Sequence, residues 1–305
     1  MSELARPAPP VREREPSLLR LFVADFMRSR LAALGLVVFS LIILATIFAP
    51  LLAPQDPYDL MQLNILDGRL PPGSTSFDGS MTYVLGTDDQ GRDMFSGILY
   101  GLRTSLIVGV GSAILAAVIG TVLGLVAAYV GGRLETFVMR LVDLQLSFPT
   151  ILTALMILAV LGKSVFNVVL ALVIVEWATY ARTARAAALV ERRRDYIVAA
   201  ETLAVPSWRI LLRHLLPNCM PALIVVGTIQ IASAIALEAT LSFLGIGVPI
   251  TEPSLGLLIA NGYKYMLAGD YWVSVYPGVA LLVVIVSINL VGDHLRDILN
   301  PKNKS

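Results

Sequence analysis

Apolar residues fall into six long blocks along this chain, separated by segments rich in Arg, Asp, Gly and Pro. Each block has about 18 to 25 residues, and a helix of about 20 apolar residues crosses the roughly 30 Å hydrocarbon core of a bilayer. Because lipid offers no hydrogen-bond partner, the backbone of such a block must be helical. The third block contains Pro149, where we expect a static bend. The pattern predicts six transmembrane helices, at residues 31–50, 106–130, 144–161, 165–181, 220–237 and 272–291.

The composition excludes a water-soluble globular protein and indicates an all-α polytopic membrane protein. Of the 305 residues, 56% are hydrophobic and only 15% are charged, against about 25% charged residues in a soluble domain. The net charge of +1 supplies no basic field, so no nucleic-acid partner is expected. We therefore expect the chain to be embedded in a lipid bilayer.

Lys and Arg residues are concentrated in alternate polar segments. The N-terminal segment, the segments after the second and fourth predicted helices, and the C-terminal segment together carry 18 of the 23 basic residues. Cytoplasmic segments of membrane proteins carry such an excess. We therefore expect a multi-pass protein of the cell membrane with both termini in the cytoplasm. The first 20 residues are rich in Pro, Arg and Glu and are expected to be disordered.

The sequence contains no complete motif for catalysis or nucleotide binding. Gly162, Lys163 and Ser164 match the end of a phosphate-binding loop, but Ile157 stands where the first glycine is required. Motifs of the HExxH and GxSxG kinds are missing. Cys219 is the single cysteine, so the chain can form neither an internal disulfide nor a multi-cysteine metal site. We predict a non-catalytic chain with no metal or cofactor of its own.

Small residues recur at every fourth position of the second predicted helix. Such a stripe lets another helix approach closely. We expect it to pack against a helix of this chain or of a partner subunit, and a substrate-lining role is the less favoured alternative. The stripe consists of Ala116, Gly120, Gly124 and Ala128.

Two carboxylates, Glu176 and Glu238, lie at or near membrane depth, where an ionisable side chain is a candidate functional group. Glu176 is six residues before Arg182, and the preferred interpretation is an ion pair with the cytoplasmic arginines. Glu238 stands at the outer end of the fifth predicted helix. A role at the mouth of a translocation pathway and a purely structural role are equally compatible with that position.

The polar segment between the fourth and fifth predicted helices, residues 182–218, has the composition of a helix rather than of a turn. We expect a helical cytoplasmic elbow here, with a small-residue face and a break at Pro206, Ser207 and Trp208. A short helix with such a face can enter a groove on a partner protein. An amphipathic helix lying on anionic lipid is the alternative, and the residue pattern alone does not choose between them.

This elbow resembles the EAA loop of ABC importer permeases, whose pattern is Glu-Ala-Ala, three residues, Gly, and a downstream His-x-Leu-Pro-Asn. The sequence has Val198 in place of the Glu and Ala204 in place of the Gly, and it matches at Ala199, Ala200, His214, Leu216, Pro217 and Asn218. Two more stretches resemble the C-type permeases of dipeptide and oligopeptide importers. They are residues 85–106, LGTDDQGRDMFSGILYGLRTSL, and residues 238–301, which contain LSFLGIGV, PSLG, YPG and NLVGDHLRDILNP in that family's order. The similarity covers about residues 31–301.

The resemblance implies a type I ABC importer permease fold with six transmembrane helices. Its parts would be a cytoplasmic tail (1–30), a first transmembrane helix (31–53), an extracytoplasmic loop (54–100), a five-helix permease core (101–293) with a coupling loop (182–218), and a cytoplasmic tail (294–305). The implied partners are a homologous B-type permease, two ABC ATPase subunits that bind ATP and Mg²⁺, and an extracytoplasmic substrate-binding protein. In relatives the external loop after the fifth helix, here residues 249–271, can reach into the binding protein.

The implied function is the import of dipeptides, oligopeptides or similar small solutes, driven by ATP hydrolysis in the partner subunits. The elbow would dock as a coupling helix in an ATPase groove, through Val198, Ala199, Ala200, Ala204, Pro206, Ser207, Trp208, His214, Pro217 and Asn218. A stand-alone secondary transporter or channel is the alternative. It would favour internal repeats, and the sequence shows no convincing repeat. An intramembrane enzyme is a third class, but the sequence lacks the residues for it.

Overall fold

A computed structural model describes residues 25–57, 59, 61 and 63–299, in which helices predominate. The helices are α1 (Arg30–Ile47), α2 (Ala49–Leu52), α3 (Met94–Val130), α4 (Gly132–Ser147), α5 (Thr150–Leu161), α6 (Val165–Glu191), α7 (Asp195–Thr202), α8 (Ser207–Ile210), α9 (Leu216–Phe243), α10 (Leu255–Tyr263) and α11 (Trp272–Leu299). Within these residues α1, α3, α6, α9 together with the turns before it, and α11 are long and apolar enough to cross a membrane. The predicted all-α membrane fold is confirmed.

The prediction of residues 144–161 as one helix is wrong, because this stretch contains the end of α4 and all of α5, which meet at a bend of 93°. Phe148 has an extended backbone (φ −95°, ψ 142°), the conformation that a following proline favours. Pro149 also has no N–H for a continued helix. α5 has 12 residues, which rise about 18 Å. The sixth crossing of the predicted fold therefore needs α4 and α5 together.

The second, fourth, fifth and sixth predicted transmembrane helices are too short, because the observed helices continue beyond the apolar residues. α3 begins at Met94, inside the predicted loop 54–100, where the Asp93 carboxylate caps it by accepting a hydrogen bond from the Ser96 N–H at 2.8 Å. α6 continues through the start of the predicted coupling loop to Glu191. α11 continues to Leu299, inside the predicted tail 294–305. The predicted disorder of the first 20 residues lies outside the described residues.

The segment between α2 and α3, which the sequence analysis described only as an extracytoplasmic loop, is folded. It contains a two-stranded antiparallel sheet, β1 (Ser74–Thr75) with β2 (Thr82–Tyr83). The carboxylate of buried Asp67 accepts hydrogen bonds from the Phe77 N–H at 2.7 Å and from the Tyr83 hydroxyl at 3.1 Å. These bonds join residues ten or more positions apart, so no local sequence pattern reports them.

A second buried carboxylate, that of Asp88, organises the end of the same segment. It accepts hydrogen bonds from the N–H groups of Gln90 and Arg92 at 2.8 and 2.9 Å. Burial raises the pKa of Asp88 to about 6, because an apolar environment disfavours the charged form. The Trp272 indole, in the first turn of α11, donates to the Thr87 carbonyl at 3.2 Å. The segment is thereby attached to the helices.

The buried core lies between the spanning helices. α3 packs chiefly against α6, and α9 packs against α3, α6 and α11. The buried cluster of Leu102, Ile235, Leu258 and Ile288 brings α3, α9, α10 and α11 together. Apolar side chains on the outer faces, such as Leu41 and Val118, are exposed, as expected of residues that contact lipid.

Candidate functional site

Residues 182–191 of the predicted elbow belong to α6, and the rest of it, residues 195–218, consists of α7, a tight turn, α8 and a π-helical turn (Leu211–Leu215) that leads into α9. The name elbow refers to residues 195–218 from here on. α7 ends in a Schellman motif, in which the Val205 N–H donates to the Ala200 carbonyl at 3.1 Å and the Ala204 N–H donates to the Glu201 carbonyl at 3.0 Å. Ala204 has a φ of 55°, in the left-handed region where helices usually end with glycine. The chain breaks at Pro206 and the next helix begins at Ser207. The predicted break is confirmed, and alanine makes the turn.

One face of the elbow is buried against the spanning helices. Ile197 and Ile210 have no exposed surface, and Ala200 is 8% exposed. They belong to one buried cluster with Ala188 of α6 and Leu215. The predicted coupling residue Ala200 therefore faces the chain's own core and offers a partner protein almost no surface.

The opposite face of the elbow is exposed and carries apolar side chains among polar ones. The exposed fraction is 53% for Val198, 78% for Leu203 and 60% for Trp208, and Ala199 is also exposed. We call these four residues the elbow patch. The sequence analysis did not identify Leu203 as a candidate residue. An apolar residue beside a helix end can be buried or exposed, and the direction in which the chain turns decides which of the two it is.

His214 and Asn218 hold the elbow in place. The Asn218 amide donates to the His214 carbonyl at 2.7 Å and to the Tyr196 hydroxyl at 3.1 Å. That hydroxyl donates to the Glu191 carboxylate at 2.7 Å. Burial and this bond raise the pKa of Tyr196 to about 12, so the phenol remains protonated. The network connects α7 to the end of α6 and to the start of α9. Pro217 is exposed beside it.

The small-residue stripe of α3 packs against α6 of the same chain. A β-carbon on Gly120 would overlap the Trp177 carbonyl, and one on Gly124 would overlap the Ala181 carbonyl and lie 2.8 Å from the Ala184 β-carbon. Ala116 and Ala128, the other members of the stripe, are buried. The geometry supports helix packing within the chain, and the stripe offers no surface to a substrate.

Glu238 is fully buried and joins three helices. Its carboxylate accepts hydrogen bonds from the hydroxyls of Ser105 on α3 at 2.7 Å and Ser242 on α9 at 2.8 Å. The Ser254 side chain, which caps α10, also hydrogen-bonds Glu238. A carboxylate with this many donors and no exposed surface favours the structural alternative over a role at a pathway mouth.

The predicted ion pair of Glu176 with the cytoplasmic arginines is wrong. Arg182 donates instead to the Asp143 carboxylate of α4 at 2.7 Å, and Arg185 pairs with Glu135 at 2.6 Å. Glu176 is 3% exposed, and its Oε2 has no hydrogen-bond partner among the residues that the structure describes. The sequence analysis missed both partners on α4, because they lie 39 and 50 positions away from the arginines.

The described part of the chain contains no group of three or more His, Cys, Asp or Glu side chains arranged to hold a metal. Cys219 is buried in the same cluster as Ala200 and Leu223. His214 and His294 make separate contacts, with Asn218 and with Phe26.

Comparison with known proteins identifies the family. The profile of the binding-protein-dependent transport system inner membrane components matches residues 120–305, and that of the N-terminal transmembrane domain of oligopeptide transport permease C matches residues 17–72. The chain belongs to this permease family. The first match contains α6, the elbow and α9, and the second contains α1.

Individual relatives agree with the family assignment of this permease. It is 38% identical over 290 residues to the di/tripeptide transport system permease protein DppC of Pseudomonas aeruginosa, with 95% of this chain and 94% of that protein covered. It is 34% identical over 292 residues to the oligopeptide transport system permease protein OppC of Bacillus subtilis, covering 96% and 92%. The resemblance to C-type permeases in the sequence analysis is confirmed.

A solved structure agrees with the fold of the permease. An inward-facing conformation of the MetNI methionine ABC transporter contains a chain that matches with a TM-score of 0.55 at 20% identity. The match covers 68% of this permease and 98% of that chain. At this identity the likeness concerns the fold alone, and it confirms the type I ABC importer permease fold.

Proposed function

We propose that this permease is the non-catalytic, membrane-spanning subunit of an ATP-driven importer that moves peptides or similar small solutes into the cytoplasm. Relatives named as di/tripeptide and oligopeptide permeases share 34–38% identity with nearly the whole chain. The sequence contains no complete nucleotide-binding motif, so separate ATPase subunits would bind ATP and Mg²⁺.

The proposed assembly contains a homologous B-type permease, two ABC ATPase subunits and an extracytoplasmic substrate-binding protein. The basic residues of the elbow and of the N-terminal segment favour a cytoplasmic position for the elbow and for both termini. The segment 249–271 would then lie outside, where a binding protein can reach it.

The elbow patch is the observation that carries this proposal. Several large apolar side chains exposed within one short cytoplasmic segment favour binding to a partner protein. The opposite face is anchored by Ile197, Ile210 and Ala200, so a force on the patch is transmitted to α6 and α9. An ATPase groove that holds the patch could therefore move these helices when nucleotide binding closes the ATPases.

The test places a negative charge on the patch. We expect Ala199→Glu to abolish co-purification of the ATPases and ATP-dependent peptide uptake in proteoliposomes, because an exposed carboxylate cannot enter an apolar contact without losing its hydration. Ala200→Glu is a poor test, since this residue is buried and a glutamate there would disrupt the elbow itself. Thr136→Glu, at an exposed position on α4, is the matched control and should leave both readouts unchanged.

Two results would contradict the proposal. Normal uptake by well-folded Ala199→Glu protein would show that the patch does not couple the permease to ATPases. Uptake by this chain alone, driven by an ion gradient in liposomes, would favour a stand-alone secondary transporter. Purification from the native membrane in mild detergent should recover a second permease and two ATPases with the chain.

A further inference from the structure

A cavity of about 480 Å³ is lined by residues at the bend between α4 and α5, on α6 and on α9. The bend between α4 and α5 provides Thr150, α6 provides Glu176 and Thr179, and α9 provides Gln230 and Ser233. Ligand-binding cavities in proteins commonly measure about 300 to 1,000 Å³. A dipeptide therefore fits a cavity of this size.

Glu176 is the ionisable group of this cavity. It lies near the middle of α6, is 3% exposed, and carries an oxygen without a hydrogen-bond partner among the described residues. A buried charge without a partner is costly, and polar groups at membrane depth usually mark the path of a solute or ion. Glu238, which is also buried, shows the contrast, since serine hydroxyls hydrogen-bond its carboxylate.

The opposite end of a peptide also finds a complementary group. α5 begins at Thr150 directly after Pro149, and no side chain caps its first turn. The uncapped N–H groups of a helix start carry partial positive charge and bind carboxylates. Thr150 and Ile151, the first residues of α5, line the same cavity as Glu176. The cavity thus presents a carboxyl side chain and the positive end of a helix.

We propose that this cavity is a binding site for peptide cargo, in which the Glu176 carboxylate accepts hydrogen bonds from the α-ammonium group and the N–H groups at the start of α5 donate to the peptide's carboxylate. The proposal rests on the proposed function in peptide import. The hydroxyls of Thr179 and Ser233 and the Gln230 amide supply neutral hydrogen-bonding groups for the peptide bond. A helix–helix contact with a partner subunit would instead favour small residues, as in the stripe on α3.

The test measures peptide binding to the complex that is isolated through this chain and placed in nanodiscs without the binding protein, both nucleotide-free and with a non-hydrolysable ATP analogue. The probes are radiolabelled Ala-Ala, N-acetyl-Ala-Ala, which lacks the ammonium group, and Ala-Ala amide, which lacks the carboxylate. We expect each modified peptide to bind about tenfold or more weakly than Ala-Ala in at least one nucleotide state, since a hydrogen bond to a charged group is worth roughly that factor.

The decisive variant is Glu176→Gln. It should weaken Ala-Ala binding about tenfold or more and leave N-acetyl-Ala-Ala binding unchanged, so that the preference for the free ammonium is lost. Glu176→Asp keeps the charge and should retain part of the preference. Gln230→Leu should weaken both peptides alike. Asp78→Asn removes a carboxylate from the exposed turn between β1 and β2 and should change neither.

The outcomes separate this proposal from the proposed function. If the wild-type importer takes up peptides and Glu176→Gln keeps the full preference for Ala-Ala over its acetylated form, the binding site is refuted and the importer function stands. If Glu176→Gln releases the second permease, Glu176 pairs with a cation of that subunit and the binding site is equally refuted. If the wild-type complex neither binds nor takes up peptides, both proposals are wrong.

Discussion

Ala204 adopts a backbone conformation that alanine ordinarily avoids. Its φ of 55° places the β-carbon close to a carbonyl oxygen, at a cost of about 1–2 kcal/mol. The surrounding contacts stabilise it, because the Schellman hydrogen bonds of the turn are complete and Val205 packs against the buried cluster that includes Ala200. The family pattern has glycine at this position. The alanine found here thus lowers the stability of the turn but leaves its geometry intact.

Ala204→Gly should therefore stabilise the elbow. We expect a gain of about 1 kcal/mol, since glycine carries no β-carbon penalty in the left-handed region. Slower hydrogen exchange of the α7 amides in the purified protein would report it. Ala199→Gly is the control, because glycine inside a helix costs about 1 kcal/mol and should speed the same exchange. Faster exchange in Ala204→Gly would refute the account of the turn.

The two carboxylates show how far sequence reasoning extends at the residue scale. Their position at membrane depth follows from the apolar blocks, and both are buried as that position suggests. Their partners could not be predicted, because Ser105 is 133 positions from Glu238 and the arginines near Glu176 are taken by α4. Pairing depends on which helices are neighbours.

Among the helices, α3 and α6 approach each other closely because both present small residues at the contact. Gly120 and Gly124 on α3 meet Ala181 and Ala184 on α6. The stripe on α3 was recognisable from its spacing of four. The alanine face of α6 was not singled out, because alanines are frequent in that segment and only the contact shows which of them matter.

Gly124→Ala should destabilise the folded protein by about 1–3 kcal/mol, the usual cost of an extra group in a tightly packed contact. Gly111→Ala on the same helix is the matched control, because nothing lies within 4 Å of a β-carbon there, and it should be neutral or slightly stabilising. Cys219 is buried, so its reaction with a thiol-reactive dye on heating measures unfolding. Equal melting temperatures for the two variants would contradict the packing account.

The break between α4 and α5 is the main difference between the predicted and observed elements. The hydropathy pattern predicted one helix from the end of α4 through α5, because both contribute apolar residues to the block 144–161. α4 is attached to α6 by two ion pairs, Arg182 with Asp143 and Arg185 with Glu135. These pairs and Pro149 hold α4 away from the direction of α5.

At the scale of the whole molecule, the bent pair decides the number of crossings. If α4 and α5 cross together, the described residues cross the membrane six times, and residues 25 and 299 lie on the same side. If the pair enters and leaves on one side, the five long helices alone cross, and the segment between α5 and α6 is on the cytoplasmic side. The fold match to an importer permease and the charge distribution favour six crossings.

Cysteine labelling in intact cells measures this arrangement, and buried Cys219 gives no background in the folded protein. We expect a membrane-impermeant maleimide to label Phe77→Cys and Lys163→Cys from outside, and to label Arg133→Cys only after permeabilisation. All three positions are exposed. Protection of Lys163→Cys in intact cells would contradict a crossing by α4 and α5. Labelling of Arg133→Cys in intact cells would show that the permease has the opposite orientation in the membrane.

The sequence by itself determined the class of fold, the position of the elbow and the family. Lipid forces apolar blocks into helices wherever they occur, basic residues mark one side, and the elbow and flanking motifs are contiguous in the chain. Tertiary structure alone decided that Ala200 faces inward while Leu203 faces out, that α4 and α5 diverge at Pro149, and that Glu238 is hydrogen-bonded while Glu176 Oε2 is not. These features depend on which helices pack together, and packing joins residues that the sequence separates.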